Sequence, residues 1–371
     1  MRTDLPKHMP ALDGLRGVAI LMVIVAHVGA GWPAALSIIQ DTNGMKPTFM
    51  LPPWLAVMVE AADNGVRLFF VVSAFTLTVR AYQSPSSLGS YALRRVARVG
   101  PGYWLAGIGY TLLAGLGPRL WAPKGVSPID LAIAALFGSA WAGGASFAVV
   151  PGGWSVSVEI AFYLALPLLI RVIDGRIWRT VALTALTMAI AQLRAQHIVL
   201  AGQWTFFELC NPIEQAPVFL CGVTAALISL KLEMPRWPQA AVALLFLAIA
   251  ALPFSPINPL ILLPYLPFAV FVAIAAAISA IHPSRLLNNR AIGWIGKVSY
   301  SMYLVHFAVL PVSLKIAERL FPASNGLTVV AHFTMTVAAT FAIACLTYRY
   351  VELPPIRWAG RQKGKDAILA A

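Results

Sequence analysis

The first apolar stretch of the chain, LDGLRGVAILMVIVAHVGAG, holds an arginine, Arg16, and a histidine, His27. An ionisable side chain inside a membrane span costs roughly 2.5–3.5 kcal/mol on insertion scales, so each reads first as a functional group. The spacing of 11 residues, at about 100° per residue, closes about three turns and puts both side chains on one helix face. At about 1.5 Å per residue they stand about 16 Å apart along the axis. That face offers a permanent cation at one depth and a titratable base at another. An imidazole near neutrality is the usual general base. The plainer alternatives are a His27 bonded to a neighbouring carbonyl and an Arg16 that snorkels to lipid phosphate.

Four further clusters could carry chemistry. In YALRRVARVGPGYWLA, Arg94, Arg95 and Arg98 precede an apolar run. Arg95 and Arg98 are three apart, face the same way on a helix and could grip a phosphate, or could simply anchor the cytosolic boundary. In PGGWSVSVEIAFYLALPLL, Ser155, Glu159 and Tyr163 recur every four residues on one face. Glu159 there either accepts hydrogen bonds from a polar ligand or pairs with a buried cation such as Arg67. In KVSYSMYLVHFAVLP, Ser299, Tyr303 and His306 share a face, with His306 near mid-membrane. It reads as a core histidine bonded to a hydroxyl or as part of a site. In TYRYVELP, Arg349 and Glu352 are spaced for an i,i+3 pair of structural character.

The elements that must position these residues follow from composition. The chain is 59% hydrophobic and 11% charged, far from the soluble norm of about one-quarter charged. Many stretches approach the roughly 20 apolar residues that cross a bilayer, and none shows the short alternating segments of a transmembrane barrel. The fold class is therefore all-α and polytopic, with about ten spans: 14–30, 64–80, 101–117, 154–170, 180–196, 216–230, 239–253, 262–281, 298–314 and 328–347. With both termini cytosolic, about 20 of the 27 Lys/Arg fall on inside segments. Counting 129–142 as an eleventh span would move Arg171, Arg176 and Arg179 outside, so it reads as a re-entrant or interfacial piece of an outer loop. In this orientation Arg94, Arg95 and Arg98 are cytosolic, and Ser155, Glu159 and Tyr163 occupy the outer part of span four. The net charge of +13 is then a topology signal, with no nucleic-acid partner implied. Cys210, Cys221 and Cys345 are scattered and odd in number, suggesting neither a disulfide framework nor a metal site. One domain is expected over 1–358, followed by a basic, disordered cytosolic tail over 359–371. The first segment reads as a retained span rather than a cleaved leader.

Taken in order, Arg-x10-His, NGVRLFFVVSAF, RRVAR with PGYW, WSVSVEIAFY, SYSMYLVH and YRYVELP resemble one family, the acyltransferase-3 family of membrane-bound acyltransferases, over about residues 11–358. The resemblance implies a multi-pass protein of the bacterial inner membrane that O-acylates glycans such as lipopolysaccharide O-antigen or capsule, with cytosolic acyl-CoA, commonly acetyl-CoA, as donor. Other members acylate antibiotics or lipid-linked substrates. It implies no permanently bound cofactor. By the same resemblance, the family's essential arginine and histidine match Arg16 and His27, and its RxxR arginines match Arg95 and Arg98. Its FFxxSGF segment matches Phe69 to Phe75, with Ser73 in place and Ala74 where the family has glycine. Its WSxxxE carboxylate matches Glu159.

The expected chemistry runs as follows. The coenzyme A phosphates sit near Arg94, Arg95, Arg98 and Arg16. The pantetheine arm follows span one inward to His27. The acceptor, a glycan or lipid-linked sugar, meets Ser73, Glu159, Tyr163 or His306, unless those residues are structural. The competing expectation is a transporter of a small anion or glycan precursor, in which intramembrane Arg, His and Glu line a path.

Overall fold

The computed structural model describes residues 9–29, 61–119, 121–200, 210–231, 266–281, 287–322 and 325–369, with positions 59 and 285 singly. Among them the regular structure is helical, with one isolated bridge between Arg119 and Ala122. The elements are α1 (Pro10–Gly29), α2 (Gly65–Gln83), α3 (Leu88–Ala114), α4 (Pro128–Ala135), α5 (Ser139–Ala142), a 3-10 turn (Gly144–Ala148), α6 (Gly153–Ile173), α7 (Ile177–Leu200), α8 (Pro212–Lys231), α9 (Leu266–Ile281), α10 (Arg290–Lys297), α11 (Ser299–Leu320), α12 (Asn325–Thr347), a π turn (Tyr348–Glu352) and α13 (Leu353–Leu369). Among the described residues, six helical stretches are long and apolar enough to cross a membrane: α1, α2, α6, α8, α11 and the run Gly326–Arg361. Of the other expected spans, 180–196 falls within α7, 101–117 overlaps α3 as far as Ala114, and the described part of 262–281 coincides with α9, whereas 239–253 lies outside the described residues.

Local chemistry explains the boundaries. Helix α3 starts when the Ser87 hydroxyl accepts the Ser90 N–H at 3.3 Å, and it stops at Gly115, whose φ of 68° suits a residue without Cβ. It therefore begins 13 residues before the span expected at 101–117, and the arginine cluster lies in the body of a 27-residue helix. The stretch 129–142 does not span. Helix α4 has a capping box between Ser127 and Asp130 with Pro128 at its first turn, but is only eight residues long, or about 12 Å. Phe137, at φ 58°, then breaks the chain direction before α5.

The chain divides into two compact units. The first comprises residues 1–26, 51–85 and 165–297, and α8 is its centre, packing on α2, α7 and α9. Small residues set the spacing. A Cβ on Gly222 of α8 would stand 2.5 Å from the Val71 carbonyl oxygen and 2.9 Å from the Ala74 Cβ. Gly14, Gly17 and Gly296 likewise have no room for a Cβ against the backbones of Leu287, Ile292 and Asp13, so 287–297 lies tight on α1. The second unit comprises residues 27–50, 86–164 and 298–371. In it α11 packs on α12, and α13 on α3.

Candidate functional site

Histidine meets histidine in the second unit. His306 is fully buried in α11. Its Nδ1 lies 2.6 Å from the carbonyl oxygen of Tyr303, and its Nε2 lies 3.1 Å from Nδ1 of His27. The bonds fix the tautomers of the neutral rings. A carbonyl only accepts, so His306 Nδ1 carries the proton and donates it to Tyr303. His306 Nε2 then holds a lone pair and accepts the N–H of His27 Nδ1. His27 in turn keeps its own lone pair on Nε2, the atom a general base uses. Phe307 packs against both rings, with centroids at 4.7 Å from His27 and 4.1 Å from His306. His27 is thus bonded to the ring of His306.

The backbone under His306 is itself tethered. The Tyr303 hydroxyl donates to the Gly152 carbonyl at 2.9 Å and accepts from the Ser155 hydroxyl at 2.9 Å. Gly152 has φ 74°, and a Cβ there would stand 2.8 Å from that phenol oxygen, so the turn entering α6 needs glycine. Tyr103 closes the same turn from α3, its hydroxyl 2.9 Å from where a Gly153 Cβ would be. Neither tether is announced by local spacing, because Tyr303 and Ser155 are 148 residues apart.

The arginines of α3 diverge. Arg95 lies over two tyrosine rings, 5.9 Å from the Tyr91 centroid and 5.6 Å from that of Tyr163. Tyr163 donates to Glu159 at 2.5 Å, and the Tyr91 hydroxyl donates to the Tyr163 carbonyl at 3.1 Å. This corrects the expected depths: Glu159 and Tyr163 sit beside Arg95 rather than at the opposite end of the membrane. All three arginines lie within α3, and Tyr163 is eight residues, about 12 Å, along α6 from Ser155. Those two side chains share a face but serve different partners. Arg94 donates to the Ser90 hydroxyl at 2.8 Å and to Ser86 at 2.6 Å. Arg98 pairs with Glu352 at 3.4 Å. Glu352 also accepts from Ser301, so its partners are Arg98 and Ser301 rather than Arg349, whose guanidinium lies over the Tyr350 ring.

In the first unit Arg16 is held rather than left to snorkel. Its Nη1 pairs with Asp13 at 3.1 Å, and its Nη2 donates to the Thr76 hydroxyl at 3.5 Å. Asp13, three residues before Arg16, was legible as an i,i+3 partner and was missed. Thr76, one turn beyond Ser73 on α2, had no such signal. Arg67 is held by Asp63 at 3.4 Å and Asn64 at 3.1 Å. Ser73 is nearly buried within α2. Its neighbour Ala74 keeps the close helix approach that a glycine would give because Gly222 supplies the missing Cβ space from α8.

Known proteins complete the picture. A Staphylococcus aureus (strain MSSA476) protein named "Putative O-acetyltransferase" is 24% identical over 396 residues, covering 94% of this chain and 57% of its own length. A Bacillus subtilis (strain 168) protein named "Putative peptidoglycan O-acetyltransferase" is 23% identical over 394 residues, covering 97% of this chain and 56% of its own. The chain thus spans somewhat more than half the length of these relatives. No solved structure matches. The family described as "Acyltransferase domain" matches residues 9–349, which include every residue placed above except Tyr350 and Glu352; the chain belongs to this family of membrane acyltransferases.

Proposed function

We propose that this chain is a multi-pass O-acyltransferase of the bacterial inner membrane, with cytosolic termini, that moves an acyl group, acetyl in the simplest case, from cytosolic acyl-CoA to a hydroxyl of an extracytoplasmic glycan. The His27–His306–Tyr303 chain carries this reading. It presents a base atom and orients it, as a general base needs. The acceptor oxygen attacks the thioester carbonyl carbon as its proton passes to His27 Nε2. The imidazolium donates its Nδ1 proton to His306 Nε2 in a charge-assisted bond. The C–S bond then breaks, and the thiolate takes the proton back from Nε2, leaving an ester and free coenzyme A.

Arg98 and Arg95, with Arg94, take the donor's phosphates, for which guanidinium forks are suited. Glu159 and Tyr163 hold Arg95 in place, the ring stacked on the guanidinium and the phenol bonded to the acid. A glycan acceptor fits the name of the Bacillus relative, and Ser73 contacts it. Membrane lipid surrounds the chain, and no nucleic acid is involved. The test is to reconstitute the purified chain in proteoliposomes with radiolabelled acetyl-CoA and muramic-acid-containing glycan fragments. Label on an ester, abolished in His27→Gln, supports the reading. Solute movement without consumption of thioester would make the protein a transporter.

A further inference from the structure

We propose that Glu352, anchored by Ser301, is a positioning residue that holds the Arg98 guanidinium ready for the donor's phosphates; this rests on the reading of Arg98 given above. The burial is one-sided. The Glu352 side chain is 1% exposed and that of Arg98 32% exposed, so the carboxylate lies beneath the guanidinium. Both carboxylate oxygens are committed, Oε2 to Arg98 and Oε1 to Ser301, which stops the group rotating. The contact uses one of the five guanidinium donors and leaves the outward edge for a ligand.

The backbone is built to deliver this acid. Glu352 closes a π turn, Tyr348–Glu352, between α12 and α13. Such a turn carries an extra residue, re-aims the side chains after it and is found frequently at functional sites. The Tyr300 hydroxyl donates to the Val99 carbonyl at 2.7 Å, pinning α11 to α3 next to both Ser301 and Arg98. Gly102, whose Cβ would stand 3.0 Å from the Tyr300 ring and 3.8 Å from Glu352 Cγ, lets the three elements close. Beside Ser301 and Glu352 lies a cavity of about 170 Å³ otherwise lined chiefly by apolar groups such as Leu105, Leu304 and Val305. In such surroundings a carboxylate has little to compete with Arg98 for it, and their attraction is poorly screened.

The test is equilibrium binding of coenzyme A to the purified full chain, comparing wild type with Glu352→Gln, Ser301→Ala, Arg98→Lys and the Arg98→Lys/Glu352→Gln double variant. Glu352→Gln is expected to raise the Kd about tenfold with the number of sites unchanged, and Ser301→Ala to raise it less. In the Arg98→Lys background Glu352→Gln should add less than about twofold. A lowered number of sites at unchanged Kd would mean a purely structural role and overturn the proposal. So would equal Kd increases in both backgrounds. If Glu352→Gln does not fold, Ser301→Ala decides, since it keeps the charge and removes only the anchor; a wild-type Kd then refutes the idea. A raised Kd in Arg98→Lys beside a normal one in Glu352→Gln sinks the role of Glu352 alone. A normal Kd in Arg98→Lys sinks the phosphate reading and this proposal with it.

Discussion

Replacing His306 tests the catalytic reading most directly, because its two ring nitrogens have separable jobs. Nδ1 ties the ring to the Tyr303 carbonyl at 2.6 Å, and Nε2 accepts from His27 at 3.1 Å. Asparagine can place its amide N–H near the position of Nδ1 but offers nothing at Nε2. Glutamine can place an oxygen near Nε2. If His306 orients and stabilises His27, His306→Asn loses a hydrogen bond that becomes charge-assisted in the transition state, worth about 1.5–3 kcal/mol. At about 1.36 kcal/mol per decade, kcat falls roughly 10–150-fold with the acceptor KM little changed. His306→Gln keeps an acceptor for the Nδ1–H and should retain more of the rate. His27→Ala, which removes the base itself, should lose about 10²–10⁴-fold. The assay is single-turnover transfer of labelled acyl group under saturating donor, with thermal melting to confirm folding. An active His306→Asn beside an inactive His306→Gln would show that only the tether to Tyr303 matters, and the proton-relay reasoning would be wrong.

Other variants probe the supports. Gly222→Val pushes a branched side chain into the Val71 carbonyl and Ala74 and should cost about 1–3 kcal/mol of stability, whereas Gly109→Ala, where a Cβ meets nothing within 4 Å, should leave melting in detergent unchanged or raised. Arg194→Leu takes from the 2%-exposed Glu214 its 2.7 Å partner and should destabilise by about 3 kcal/mol, measured by denaturant unfolding in micelles. Tyr163→Phe leaves the ring under Arg95 but breaks the 2.5 Å bond to Glu159; coenzyme A affinity should drop less than in Tyr163→Ala, and the reverse order would remove the stacking role. Ser127→Ala opens the capping box of α4 at a cost of about 1 kcal/mol. Hydrogen bonds from Ser127 hold the Asp130 carboxyl below its ordinary range. Its contribution is therefore present above the unfolded pKa of about 4 and lost as pH falls through the lower folded value. Amide exchange in α4 should accelerate in acid for wild type and change less with pH in the variant.

Helix content was legible because it rests on a local signal, apolar runs of bilayer length. The surroundings of RRVARVGPG were not legible, because Glu352, Ser301 and the Tyr91 and Tyr163 rings reach it from elsewhere in the chain. Those partners come from residues up to 254 positions away, and no spacing rule reaches that far. The same limit hid the histidine pair. His27 and His306 each stood out as an ionisable group in an apolar run, but their bond links positions 279 apart, so the sequence offered two ambiguous histidines where the fold makes one proton-handling unit.

The neighbourhood of Arg95 carries this argument into mechanism. A cation flanked by two tyrosine rings, with a carboxylate bonded to one of them, has its charge supported by π faces and by an acid at one remove. Such an arginine is held in place yet not cancelled by a direct ion pair, unlike Arg98 with its carboxylate beneath it. Two arginines three residues apart, which the sequence makes look equivalent, therefore meet a polyanionic donor with different local charge. Arg95 should contribute more of the salt-sensitive attraction and Arg98 more of the orientation. Arg95→Gln, which removes the charge, should weaken coenzyme A binding mainly at low ionic strength, and Arg98→Lys, which keeps the charge but loses the fork, should weaken it at every salt concentration. Salt dependences that are identical for the two variants would return the pair to the single phosphate clamp implied by their spacing.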